Sequence, residues 1–233
     1  MNTGASNIKI VSTAAELTRR VLEACAAFGL GVRHRTAPTV QRCLPSGIAR
    51  ALEATRPGEH IFVSGDSGAG KSTLLSRMAE HLHAQGDVVF RLDFGYLREH
   101  GSSAVIEALE GSIDTVIATL SRAGLAEGPL LVKPIRELSE GQRWRLALAL
   151  AMQRAASQPT QRAWIMVDEC GATLDVLTAR CTCAAAGAWC ARAGISIIAA
   201  ASRRAPAAWI DASCRIRVSR AEAGRRFAIH HRT

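Results

Sequence analysis

The segment VSGDSGAGKST, residues 63–73, constrains the fold more than any other stretch of the chain. Its glycines at 65, 68 and 70 and its Lys-Ser-Thr run at 71–73 stand between an apolar, strand-like stretch, HIFVSG, and a helix-like one, STLLSRMAEHLHAQG. The spacing fits G-x-x-x-x-G-K-[ST] through Gly65, Gly70, Lys71 and Ser72, a loop whose glycines let the backbone wrap an anion. Its expected contacts with a nucleotide's phosphates come from Gly65, Asp66, Ser67, Gly68, Ala69, Gly70, Lys71, Ser72 and Thr73, with the amides of residues 68–73 pointing inward. Lys71 is expected to offset β- and γ-phosphate charge, and Ser72 to ligate Mg²⁺. A simple glycine turn would explain the change from strand to helix but not the Lys-Ser-Thr that follows it.

Further along, WIMVDE forms an apolar strand ending in Asp168 and Glu169, the arrangement of a Walker B element in P-loop ATPases. Asp168 is expected to hold Mg²⁺ through water, and Glu169 to act as the general base that orients the attacking water. An acidic pair at a strand end is commonplace alone; its force comes from the phosphate loop upstream.

Between these two lies ELSEGQRWRLALALA, residues 137–151, a polar turn that becomes a helix with free N–H groups in its first turn, suited to an anion. A capped helix start accounts for Ser139 and Glu140 and leaves Gly141 and Gln142 without a reason. The motif Leu138, Ser139, Glu140, Gly141, Gln142 resembles the signature of the ABC ATPase family. CGATLD at 170–175 is similar to that family's D-loop, with Asp175 as its acidic residue, and Pro57-Gly58-Glu59 is similar to its lead-in to the first core strand. The resemblance implies an ABC-type ATPase that binds ATP and Mg²⁺ and packs head to tail in an ATP-dependent homodimer. The signature turn of one copy would then act in trans, closing over the nucleotide of the other. FGLG near the start, the short middle region and LSRAGLAEGPLLVKPIRELSEGQRWRLALA are similar to soluble, non-transporter members, a group sometimes fused to a predicted acetyltransferase domain.

The chain departs from the family's pattern at three places. No glutamine occurs between Gly86 and Leu138, where the family carries one that couples metal and water to a partner; Asp93 and Glu99 are the candidate substitutes. Ser202 occupies the switch position where the resemblance implies a histidine, and a hydroxyl cannot carry imidazole's charge. Slow hydrolysis is the expectation, with Arg203 or Arg204 as candidate sources of charge. From Val32 to His60 there is no aromatic residue to stack on adenine, and His34 is a poor stand-in.

With 233 residues and 48% hydrophobic content, the chain can bury one substantial core. The net charge of +9 and pI near 9.9 are compatible with a nucleic-acid partner. The basic residues are nearly all arginine, since only Lys9, Lys71 and Lys133 are lysines, and they are dispersed along the chain. Such an excess beside abundant alanine also fits a GC-rich coding sequence. A nucleic-acid or other protein partner is therefore compatible with the composition and not required by it. No apolar run approaches the ~20 residues of a membrane span, and no secretory signal opens the chain, so no direct membrane insertion and a cytoplasmic location are expected. The seven cysteines contain no C-x-x-C pair and read as reduced, mostly buried thiols. Cys181, Cys183 and Cys190 could bind metal, but their alanine-rich helix favours packing.

Strands separated by helices predict an α/β fold with a mainly parallel sheet flanked by helices, a short helical subdomain and a C-terminal β-hairpin over RIRVS-RAEAG-RRFAIHH. Residues 1–44 read as a lead-in, with a capping box at 13–16, a helix of about four turns and an irregular stretch from Gly31 to Gly47. Residues 45–233 read as the ATPase domain, with 95–137 mostly helical. A transporter's nucleotide-binding subunit and a DNA-associated ATPase are the competing functions; the short middle region and the missing glutamine oppose the first, and the lack of a long heptad run opposes the second.

Overall fold

The computed structural model describes residues 9–13, 17–34, 44–158, 160–202, 206–221 and 224–231. It divides into two compact units, Met1–Cys43 and Leu44–Thr233. In the first, β1 (Lys9–Thr13) and β2 (Leu30–His34) pair in parallel around α1 (Arg19–Ala27). The helix is shorter than its sequence suggests. Its cap is Thr18, whose hydroxyl accepts the Val21 N–H at 3.4 Å, and Thr13 instead ends β1. Residues 14–16 lie outside the described residues. Part of the irregular stretch expected after Gly31 is strand.

The second unit is built on six strands: β3 (Ile61–Ser64), β4 (Val88–Arg91), β5 (Ala163–Val167), β6 (Ser196–Ala201), β7 (Cys214–Ala221) and β8 (Gly224–His231). Their spatial order is β4-β5-β6-β3-β7-β8, parallel except for the antiparallel β7–β8 hairpin. The central strands are continuous apolar runs because both sheet faces are covered. Ile61, Val63, Trp164, Met166, Ile198 and Ala200 point to one core. Phe62, Ile165, Val167, Ile197 and Ala199 point to the other.

The first core is closed by α2 (Ser46–Ala54) and α3 (Lys71–Ala84) through Ile48, Leu52, Leu74, Leu75, Met78 and Leu82. A smaller helical region comprises α4 (Phe94–Glu99), a 3-10 turn at Val105–Ala108, α5 (Ile113–Arg122), α6 (Gly128–Leu131) and a 3-10 turn at Ile135–Glu137. Residues 95–137 are thus mostly helical, in short, separate pieces around their own core of Leu97, Val105, Val116, Leu120, Leu125 and Ile135. α7 (Glu140–Ala156) serves both cores, with Trp144, Leu148 and Met152 toward the sheet and Leu146 and Leu150 toward the helical region. α8 (Val176–Arg192) and α9 (Pro206–Trp209) complete the sheet-side core. Among the described residues, no helix is long and apolar enough to cross a membrane.

Candidate functional site

The phosphate loop follows β3 and runs into α3. Gly68 and Gly70 adopt φ of 70° and 101°, left-handed values that an L side chain resists, and Gly70 forms the N-cap of α3 without a side-chain cap. Gly65 is required by close approach, because a Cβ there would sit 2.4 Å from the Val218 carbonyl oxygen of β7. The first intrahelical bond of α3 runs from the Leu74 N–H to the Gly70 carbonyl, so the Lys71, Ser72 and Thr73 amides have no intrahelical acceptor. The Ala69 amide differs from the sequence expectation: it donates to the Asp66 carbonyl at 3.0 Å and braces the loop.

Lys71 is 4% exposed, and its ammonium is surrounded by acceptors. Nζ donates to the Gly65 carbonyl at 3.0 Å, the Asp66 carbonyl at 3.3 Å and Ser202 Oγ at 3.0 Å, with Glu169 Oε1 at 3.8 Å. A cation so buried is tolerable only with such partners. The sheet order explains the convergence, since β6 lies between β3 and β5 and delivers Ser202 beside the loop after β3 and the acidic pair after β5. Sequence reading placed Ser202 by analogy with a histidine; the structure gives it a contact of its own, to Lys71.

Asp168 and Glu169 are exposed at the end of β5, with Asp168 Oδ1 accepting the Glu169 N–H at 3.0 Å. Glu169 has φ of 49°, and the next residue is fixed by the Cys170 N–H bond to the Ala200 carbonyl at 2.8 Å. Ser72 is exposed in the first turn of α3. Its hydroxyl and the Asp168 carboxylate are hard oxygen donors of the kind Mg²⁺ takes sparingly from protein, the remaining positions going to water and phosphate. The donor set fits the ion.

The segment Leu138–Gln142 has a local structural basis that its sequence did not reveal. Ser139 Oγ accepts the Gln142 N–H at 3.2 Å, while Gln142 Oε1 accepts the Ser139 N–H at 2.9 Å, a reciprocal capping box. A Cβ on Gly141 would stand 2.9 Å from Leu174 Cδ2 and 3.1 Å from the Thr173 carbonyl oxygen. The expectation that Gly141 and Gln142 lack a structural reason is therefore corrected. Leu138 is buried in the helical-region core and Glu140 is exposed at the start of α7. Asp175 caps α8, with Oδ1 accepting the Thr178 N–H at 2.9 Å; hydrogen bonding from Thr178, its hydroxyl foremost and its N–H next, holds the Asp175 carboxyl below the usual range.

Asp93 follows β4 as the resemblance requires, but its carboxylate is committed. Oδ1 accepts the Tyr96 N–H at 2.9 Å and Oδ2 pairs with Arg154 at 3.1 Å, and these contacts, the Tyr96 amide foremost, lower its pKa. Glu99 is exposed near the end of α4. Arg203 and Arg204 lie outside the described residues, as does the His34 side chain. No group of three or more potential metal ligands occurs among the described residues, and the six described cysteines are free thiols, four of them buried. A cavity of about 170 Å³ is lined by Glu169, Cys170, Leu174, Ser202 and Trp209. A larger one, about 500 Å³, lies between α4 and α7, where Phe94 and Trp144 meet Arg98, Arg136, Arg143 and Glu140. Glu140 of the 138–142 segment and Thr173 of the 170–175 segment belong to its lining, and the rest of its walls come from separate elements.

A largely parallel sheet with a glycine loop after β3 and an acidic pair after β5 defines a P-loop NTPase fold. Residues 46–213 match the AAA ATPase domain family, and the chain belongs to that family. Among solved structures, it is similar to the ATP-binding cassette MJ0796 in a dimeric post-hydrolysis state bound to ADP and Pi, with 18% identity and a TM-score of 0.50 over 70% of this chain and 82% of that one. It is also similar to RNase-L Inhibitor, with 18% identity and a TM-score of 0.53 over 73% of this chain and 34% of that one. A chain in the complex of archaeal ribosomal stalk protein aP1 and archaeal ribosome recycling factor aABCE1 gives 15% identity and a TM-score of 0.52, covering 76% of this chain and 39% of that one. These likenesses establish the fold. No curated protein matches the chain.

Proposed function

We propose that this chain binds Mg-ATP and hydrolyses it slowly, cycling between a monomer and an ATP-dependent head-to-tail homodimer that acts as a nucleotide switch. The observation that carries the reading is the buried Lys71 ammonium, held at the loop after β3 within 3.8 Å of the Glu169 carboxylate. In this reading Lys71 exchanges its loop and Ser202 contacts for the β- and γ-phosphate oxygens, and the first-turn amides of α3 supply further donors. Glu169 accepts a hydrogen bond from the attacking water and takes its proton. Mg²⁺, held by Ser72 and through water by Asp168, would neutralise charge developing on the phosphate oxygens. Ser202 offers a neutral hydroxyl where positive charge would speed the reaction, which supports a low rate.

The LSEGQ resemblance supplies the dimer. Ser139 and Gly141 of one copy would face the nucleotide of the other, with the ends of α7 and α8 brought to the shared surface. Exposed Val176 and Leu177 beside Asp175 support an interface there.

Molar mass and ATP turnover, measured together for the wild type and Glu169→Gln, test the proposal. The expected result is a dimer only with Mg-ATP, persistent in Glu169→Gln, whose turnover falls about 10²-fold or more. A monomer under every condition would overturn the dimer, and undiminished turnover in Glu169→Gln would overturn the base.

A further inference from the structure

Cys170 follows the proposed base directly, and its thiol lies 3.6 Å from that of Cys183, one helical element away on α8. We infer that Cys170 and Cys183 form an oxidisable dithiol, a modification site for a peroxide, whose disulfide displaces Glu169 and arrests ATP turnover. Only the effect on turnover rests on the function proposed above.

Two observations converge on this pair. The two sulfurs are already in contact, so closure to a bond of ~2.05 Å requires only a modest inward movement. Cys170 also lines the cavity of about 170 Å³ that reaches Glu169 and Ser202. That cavity gives a small oxidant an approach to the pair from the Cys170 side, since Cys183 is not part of its lining.

The chemistry balances with hydrogen peroxide or an alkyl hydroperoxide. One cysteine, on losing its proton, attacks a peroxide oxygen as the thiolate, the O–O bond breaks, and a sulfenic acid forms with release of hydroxide or alkoxide, which takes up a proton. The second sulfur then attacks the sulfenic sulfur; the S–O bond breaks, the S–S bond forms and water leaves. Two thiols lose two electrons and two protons, and the peroxide receives both.

The link strains the residue that carries the base. Cys170 is anchored through its N–H to the Ala200 carbonyl at 2.8 Å, and Glu169 before it already sits at φ of 49°. Drawing Cys170 Sγ toward α8 therefore turns the Asp168–Cys170 segment instead of shifting the strand. A misplacement of about 1 Å at a reacting group costs on the order of 10²-fold in rate.

The test treats the full-length chain with hydrogen peroxide and reads both mass and turnover. Trypsin separates Cys170, in the peptide 163–180, from Cys183, in 181–192, so the disulfide joins two peptides that are otherwise apart. The expected result is this linked pair, fragmenting at Cys183 and not at exposed Cys181, with a fall in turnover of at least about tenfold that dithiothreitol reverses. Cys183→Ala, or Cys183→Ser should alanine fail to fold, is expected to abolish the link and the reversible loss, whereas Cys181→Ser retains both. Absence of the linked peptides, or equal reversible inhibition in the Cys183 variant, overturns the inference. If the reduced chain has no turnover, the functional proposal fails while the linked peptides still decide whether the dithiol exists.

Discussion

Glu169 is one of two described non-glycine residues with a positive φ, at 49°. Such backbone is tolerated when surroundings over-determine it, and here the Ala200 carbonyl on one side and the Lys71 ammonium on the other do so. A second residue, far from the phosphates, controls stability instead. His60 is 2% exposed; its Nε2 lies 2.9 Å from the Gly187 carbonyl, and its Nδ1 lies 3.2 Å from the Ile197 N–H. Nε2 must donate and Nδ1 accept, which describes a neutral ring. Desolvation lowers its pKa below 6.5, and protonation at Nδ1 would set two N–H donors against each other. With the folded pKa below the unfolded one, the unfolded chain binds more protons between the two values. Stability is therefore full above about pH 6.5 and declines as pH falls through that window. Urea unfolding from about pH 7.5 to about pH 5 is expected to show this slope, and His60→Gln to flatten it.

At the scale of elements, the apolar runs of β3, β5 and β6 are legible because burial on both sheet faces marks the sequence, the helices after Ser139 and Asp175 because side-chain caps do, and the helix at Lys71 because a left-handed glycine, Gly70, opens it. The C-terminal hairpin was legible through its alternation. α2 was not, because its N-cap is Pro45, which offers no side-chain acceptor, and prolines nearby suggest a loop. Within 95–137 the helical character is legible but its division is not: apolar residues that fill a small core from several short pieces run together in the sequence, although Gly101, Gly111, Gly124 and Pro134 mark the breaks. In the candidate site, the phosphate loop and acidic pair could be read directly. The Ser202 contact, the Gly141 contact and the cysteine pair could not, since each joins a loop to a different element and depends on how the two pack. These contacts make separable predictions. Ser139→Ala removes the cap of α7 and is expected to cost about 1 kcal/mol in urea unfolding. Gly141→Ala presses on Thr173 and Leu174 instead; turnover should fall more than stability, which unfolding and ATPase assays on the same sample would separate.

At the scale of the whole molecule, the three cores are built from residues between Ile48 and Val218, all within the Leu44–Thr233 unit. A chain comprising residues 44–233 is expected to fold cooperatively and retain nucleotide binding, with calorimetric and van't Hoff unfolding enthalpies in agreement. Separate transitions for the sheet and the helical region would contradict this, since α7 packs in both cores.

The order β6-β3-β7 has a consequence for biosynthesis. β3 carries the phosphate loop, yet both of its hydrogen-bonded neighbours come from Ser196–Ala201 and Cys214–Ala221. The Gly65 backbone, moreover, rests against Val218. During translation the nucleotide loop leaves the ribosome early but must wait for most of the chain before its strand is flanked and its shape is set. Premature termination before β7 would thus yield a nascent chain that bears the complete phosphate motif in its sequence and has nowhere to seat it.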